Sequence, residues 1–268
     1  MPRLRFDIAY KGAGFNGWQS QPDGSAIQDH FRKALETVLR VRDPWLVAAS
    51  RTDAGVHAEM QVVAVDIPDP LPDLTKVRRS LNALLPAGVA IKSVDVADPG
   101  FHPVYQSIAK VYRYRLWTGD WDNPFIADQV WRIKPLIDSG SFLRNLRMLV
   151  GHHDFSSFCA ADSSAKTRER TILDISVEAQ GDLLDVWIQG SGFLKQMVRN
   201  IVGTAVDLDL GKLEAASSMA GIMELKDRTK AGRTAPARGL ALVHIDFTSV
   251  TPLEQVVRAA DRGFKVAL

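Results

Sequence analysis

Arg3-Leu4-Arg5-Phe6-Asp7-Ile8-Ala9-Tyr10-Lys11-Gly12-Ala13-Gly14-Phe15-Asn16-Gly17 is the stretch on which the fold turns. Its first eight residues alternate, with Leu4, Phe6, Ile8 and Tyr10 on one face and Arg3, Arg5, Asp7 and Ala9 on the other, the period of a half-solvated strand. Gly12 to Gly17 then spell G-x-G-x-x-G, the fingerprint of dinucleotide-binding folds. Two observations reject that reading. The fingerprint needs its glycines to open a helix whose first amides meet the pyrophosphate, and Gln21-Pro22-Asp23-Gly24-Ser25 postpones the helix. A parallel sheet covered on both faces also needs strands apolar on both faces, which the alternation denies. The glycines therefore shape a turn, and no nucleotide cofactor is expected. That turn displays Phe15, Trp18, Gln19 and Gln21, rings and amides suited to stacking on and bonding to an exposed base.

Beyond the turn, Ile27, Phe31, Ala34, Leu35, Val38 and Leu39 recur at helical spacing, with Ser25 placed as the cap. Strands over 45–49 and 61–67, a helix over 73–84 stopped at Pro86 and a strand over 89–96 complete a β-α-β-β-α-β order. The order recurs downstream, with a strand over 105–117, a helix over 139–150 and an alternating hairpin of 171–179 and 183–189 around Gln180-Gly181-Asp182. A long helix over 193–208, a shorter one over 213–223 and a strand over 240–247 complete the second half. The pattern predicts an α+β protein of two ferredoxin-like, or RNA-recognition-like, halves with antiparallel (mixed) sheets. Asp98-Pro99-Gly100 interrupts any regular element and places the boundary there, giving halves of 1–102 and 103–268.

Composition narrows the function classes. Apolar residues make 46% of the 268 and charged residues 24%, an ordinary globular balance. No apolar run approaches the roughly 18 residues that cross a bilayer, so no membrane association is expected. The opening residues alternate where an export signal would be continuously apolar, and a cytoplasmic location is expected. A single cysteine, Cys159, and six histidines without ligand spacing predict no disulfide and no metal. Net charge is only +2. Locally, Lys226, Arg228, Lys230, Arg233 and Arg238 face only Glu224 and Asp227, and Lys110, Arg113 and Arg115 are free of acids. Such runs read as solvated loops or as phosphate contacts.

Ala49-Ser50-Arg51-Thr52-Asp53-Ala54-Gly55-Val56-His57-Ala58 falls between two strands, where loops display working groups. A carboxylate beside a guanidinium is favoured in its charged form, and an ionised carboxylate is a usable nucleophile. The competing reading is an Asx-turn in which Asp53 bonds its own backbone near Gly55. In the helix beginning at Phe193, Arg199 is a cation among apolar residues. In Lys110-Val111-Tyr112-Arg113-Tyr114-Arg115, alternation sends Tyr112 and Tyr114 to the core and the arginines to solvent.

Arg51-Thr52-Asp53-Ala54-Gly55-Val56-His57, preceded by Tyr10-x-Gly12-x-x-Phe15-x-Gly17-Trp18-Gln19-x-Gln21, is followed by Asn82-x-x-Leu85-Pro86, Phe101-His102, Tyr112-x-Tyr114, Asp154-Phe155 and Met197-Val198-Arg199-Asn200-Ile201-Val202-Gly203. In that order, along nearly the whole chain, these segments closely resemble the tRNA pseudouridine synthases of the TruA family. The resemblance implies the pseudouridine synthase fold, its two halves meeting at a central cleft, an isomerase that needs no cofactor, and a homodimer holding the anticodon arm of tRNA, with uridines 38 to 40 as targets. It implies that Asp53 is the catalytic aspartate, attacking uracil C6 or acting through the sugar, that Arg51 and Arg199 are the arginines around it, and that Tyr112 is the active-site tyrosine. The target base would be flipped out of its stack. Substrate contacts are then expected from Phe15, Trp18, Gln19, Thr52 and His57, and phosphate contacts from Lys110, Lys226, Arg228, Lys230 and Arg233. Ser50, Lys11, Val104 and Cys159 depart from the family pattern, the last two where relatives often carry a base. A non-catalytic RNA-binding module of two RNA-recognition-like halves is the alternative, and Asp53 argues against it, because a binding cleft for RNA has no use for an anion.

Overall fold

A computed structural model describes residues 1–133 and 138–263, so the far end of the expected second half, 264–268, lies outside the described residues. The strands are β1 (Arg3–Tyr10), β2 (Leu46–Ala48), β3 (His57–Asp66), β4 (Val89–Ala97), β5 (Ala109–Trp117), β6 (Trp131–Arg132), β7 (Gly151–Asp154), β8 (Glu169–Gln180), β9 (Leu183–Gly190) and β10 (Leu240–Asp246). The helices are α1 (Ile27–Leu39), α2 (Leu74–Leu84), α3 (Ser139–Arg147), α4 (Met197–Asp209), α5 (Met219–Glu224) and α6 (Leu253–Gly263). The chain divides into two compact units, Met1–Ser107 with Ala241–Phe247, and Ile108–Leu240 with Thr248–Leu268.

In the first unit β1 lies between β4 and β3, antiparallel to both, and β2 pairs with β3, which is the ferredoxin-like order. The alternation of β1 holds, since Leu4, Phe6, Ile8 and Tyr10 are buried and the residues between them are half-buried. Its polar face is neutralised by pairing, Arg3 gripping Asp66 at 2.6 and 2.8 Å and Arg5 meeting Asp7 at 2.9 Å. Phe6 meets Phe31 of α1 edge-on at 5.3 Å, fixing helix to sheet. The cap of α1 differs from the expectation. Ala26, not Ser25, is the N-cap, and Asp29 in the first turn accepts the Ala26 amide at 3.2 Å and the Gln21 amide at 3.1 Å. A carboxylate there satisfies the orphan amides and favours the positive end of the helix. Asp73 caps α2 by accepting from the Thr75 and Lys76 amides. The last strand, β10, joins this unit through a parallel pairing of Ala241 with His57 and Leu242 with Ala58 on β3.

In the second unit the order is β5-β9-β8-β7, antiparallel throughout, with β6 alongside β5 in parallel. The expected hairpin turns at Gly181-Asp182 between β8 and β9. Seven consecutive residues of β9 are buried, so both of its faces are covered. That overturns the expected solvent face of β5. Arg113 is only 4% exposed, and Arg115 is half-buried. Both arginines converge on the buried Asp185 of β9, Arg115 at 3.2 Å and Arg113 at 4.0 Å, and Arg113 lies 5.3 Å above the Trp187 ring. A buried cation is tolerable when a carboxylate and an aromatic face replace its water. The long helix also begins later than its pattern predicts. Gln196 sits in the left-handed region at φ 60°, so Lys195-Gln196 form a turn, closed by the Met197 amide on the Leu194 carbonyl at 3.1 Å, before Met197 opens α4. α5 is confined to Met219–Glu224, its start marked by Ser218 Oγ accepting the Gly221 amide, and α6 lies where no helix was expected.

Candidate active site

The Arg51–His57 loop is braced from the glycine turn after β1. The Gly12 amide donates to His57 Nδ1 at 3.1 Å, the Trp18 amide donates to the Thr52 carbonyl at 3.1 Å, and the Tyr10 hydroxyl meets Thr52 Oγ1 at 2.7 Å. Gly12 permits that approach, because a Cβ there would lie 2.0 Å from the Val56 carbonyl oxygen. Gly12 of the G-x-G-x-x-G run therefore serves close backbone packing. From the other side Gln61 spans Ser50, accepting its amide at 3.2 Å and donating to its carbonyl at 2.7 Å. At the centre the turn closes through the main chain, Val56 N–H donating to the Asp53 carbonyl at 3.1 Å. Asp53 is half-buried and Arg51 is exposed on the same loop.

These contacts redistribute the expected roles. Trp18 is 1% exposed and stacks on Tyr10 at 5.9 Å, so it cannot receive a base and the expectation is corrected. Its large apolar ring gains more from burial than from display. Thr52 and His57 are buried braces of the loop. Gln19 is exposed and Phe15 half-buried against His30. The sequence reading missed Tyr105, which is 84% exposed and stacks on His102 at 4.2 Å, while His102 meets Trp45 edge-on at 6.1 Å and Arg3 lies 4.3 Å over Trp45. Its neighbour Val104, one of the departures, is exposed as well.

In the second unit Tyr112 is 7% exposed on β5 and meets the Phe193 ring edge-on at 5.0 Å. Burial pushes the Lys110 ammonium down to about 8. Tyr114 donates to the Pro236 carbonyl at 2.8 Å, and burial drives its phenol upward against the opposing charges of Arg199 and Arg238, so it stays a neutral donor. Arg199, half-buried on α4, donates from Nε to the Ala235 carbonyl at 2.8 Å.

The basic run splits. Arg228 donates to the Gly232 carbonyl at 2.9 Å, to Asn200 Oδ1 at 3.0 Å and to Thr234 Oγ1 at 2.9 Å, which spends its fork within the fold. Arg233 is paired with the buried Asp207 at 2.7 Å. Lys226 and Lys230 are exposed, Lys226 lying 3.3 Å from Asp154. Cys159 is buried, with Arg168 Nη1 at 2.7 Å from its sulfur. Asn200, quoted above only within a motif, and Thr204 and Asp207, which the sequence reading did not mention, are buried polar residues of α4. Their i, i+4, i+7 spacing on an apolar helix is the signal that marks them.

A fold of two α+β units with a carboxylate presented on a braced loop defines a class that relatives specify. The family model described as tRNA pseudouridine synthase matches residues 146–248. The tRNA pseudouridine synthase A of Bacillus subtilis (strain 168) is 38% identical over 246 residues, covering 91% of this chain and 99% of that protein. Proteins of the same name from Geobacter sulfurreducens and Myxococcus xanthus are 37% and 39% identical, covering 92% and 94% of this chain and 100% and 94% of their own lengths. This chain belongs to the tRNA pseudouridine synthase family.

Proposed function

We propose that this protein isomerises uridine to pseudouridine in the anticodon stem-loop of tRNA, with Asp53 as the catalytic carboxylate. The observation that carries the reading is the turn at Asp53, half-buried and held on both flanks by Gly12, Thr52, His57 and Gln61. Rigid support of that kind suits a group that must meet a reacting atom. In the reaction the bond from ribose C1′ to uracil N1 breaks, the base turns, C1′ bonds to C5, and the C5 proton leaves as N1 gains one. Atoms and electrons balance within the nucleotide. We assign Asp53 the attack, at uracil C6 or through the sugar, Arg51 and Arg199 the role of active-site cations, and Tyr112 that of packing on the uracil and taking part in removal of the C5 proton.

Phosphate contacts fall to the exposed Lys226 and Lys230, with Lys110 as a further cation. Tyr105 takes the stacking role that Trp18 cannot fill. We place the working enzyme in the cytoplasm as a homodimer, which sedimentation at working concentration checks. The deciding experiment incubates the purified protein with unmodified total tRNA and maps new pseudouridines. New sites confined to the anticodon arm are expected. Retained tRNA without any product would instead make the chain a binding module, and product outside that arm would overturn the substrate assignment.

A further inference from the structure

A five-residue strap, Gly232 to Pro236, runs along α4, tied to it from Gly232 to Ala235 and to Tyr114 of β5 at Pro236. The Gly232 amide donates to Thr204 Oγ1 at 3.0 Å, and the Arg233 amide to Asp207 Oδ2 at 2.9 Å. Thr234 Oγ1 meets Asn200 Oδ1 at 2.7 Å while accepting from Arg228 at 2.9 Å. The Ala235 amide donates to the Arg199 carbonyl at 3.1 Å, and the Pro236 carbonyl accepts from Tyr114 at 2.8 Å. Gly203 makes this possible, since a Cβ there would stand 1.9 Å from the Arg233 carbonyl oxygen. The return contact is Arg199 Nε donating to the Ala235 carbonyl at 2.8 Å.

We propose that the strap is the device that aims Arg199, and that Thr234 and Asp207 are positioning residues acting through it. The proposal rests on the catalytic role assigned above to Arg199. An arginine on a helix surface has four rotatable bonds, and ordering them opposes any productive geometry. Pinning Nε to a fixed carbonyl sets the plane of the guanidinium in advance, because the fork is rigid. The carbonyl is fixed only if the strap is. Asp207, Thr204 and Asn200 are 5%, 0% and 0% exposed, so the polar atoms that hold the strap have little water to turn to and are committed to it. The strap thus converts the packing of α4 into the direction of one side chain.

The test is single-turnover conversion of a tRNA transcript, with transcript affinity and thermal midpoint measured on the same proteins. Thr234→Val removes the hydroxyl shared by Asn200 and Arg228 at nearly constant volume. It is expected to slow conversion about 10- to 100-fold at unchanged transcript affinity, as a displacement of about 1 Å does, with Thr234→Ser restoring the rate. Should Thr234→Val fail to fold, Asp207→Asn, which keeps an acceptor but loses the charge pair, is expected to give the same split between rate and affinity. Wild-type rates in the folded strap variants beside an inactive Arg199→Leu would overturn the proposal and leave the function intact. Rate and affinity falling together would also overturn it, making the strap an RNA-contact loop. An active Arg199→Leu would remove the catalytic role on which the proposal rests.

Discussion

Asp53 closes its turn through its carbonyl, so Asp53→Asn leaves that hydrogen bond in place. Conversion of tRNA by this variant should fall at least about 10³-fold while tRNA affinity is retained, measured by single-turnover assay and filter binding. Two aromatic residues should separate folding from binding in the opposite sense. Trp18→Ala should cost about 3–5 kcal/mol of stability by denaturant unfolding, because it empties a buried site. Tyr105→Ala should leave the unfolding midpoint in place and weaken tRNA binding by about 1–3 kcal/mol, the value of one stacked base. Lys110 makes a prediction in pH. Its folded value of about 8 lies below the ordinary 10.5, so between these values the unfolded chain holds a proton that the folded chain does not, and stability rises with pH across that window. Lys110→Met should flatten the rise and lift the thermal midpoint at pH 7. At this scale the Asp53 run was readable because its residues are consecutive. Trp18 and Tyr105 were not, since a lone aromatic residue outside a periodic element says nothing of whether it is buried.

Elements were readable where their period repeats. The alternation of β1 and of the β8–β9 hairpin, and the apolar recurrence of α1, are properties of successive residues. Their ends were less so. The cap of α1 is a carboxylate in its first turn, and α4 starts after a left-handed Gln196, a choice that depends on packing and not on any local propensity. The solvent face assigned to β5 failed for a related reason, because coverage of a strand is decided by elements distant in sequence. The glycine turn yields a prediction at the scale of elements. In Gly12→Ala the added methyl would meet the Val56 carbonyl oxygen at 2.0 Å and push the two loops apart. Activity should fall about 10²-fold while the far-ultraviolet circular dichroism is unchanged, since the displaced backbone is the one that carries Asp53.

At the scale of the molecule, charge gives a prediction that local structure refines. Lys226→Gln with Lys230→Gln should reduce the slope of log affinity against log salt by about 1–2 units, as counterion release requires. Arg228→Gln should instead lower the unfolding midpoint, because its guanidinium holds Gly232, Asn200 and Thr234. The sequence run treats these cations alike; only their partners tell them apart. The two-unit α+β plan was readable from element order, whereas the affiliation of β10 with β3 was not, because a parallel pairing across so long a separation leaves no trace in local pattern.

That pairing orders events during synthesis. The first unit needs Ala241–Phe247 to be whole, and those residues leave the ribosome only after all of Ile108–Leu240 has been made. At elongation rates of about 5–20 residues per second the wait is on the order of ten seconds. Throughout it His57, the residue that ends the Asp53 loop and braces Gly12, lacks its neighbour Ala241. The nascent protein therefore carries an unbraced Asp53 loop from the synthesis of His57 until Ala241–Phe247 emerge, and the loop is completed by a strand made long after it.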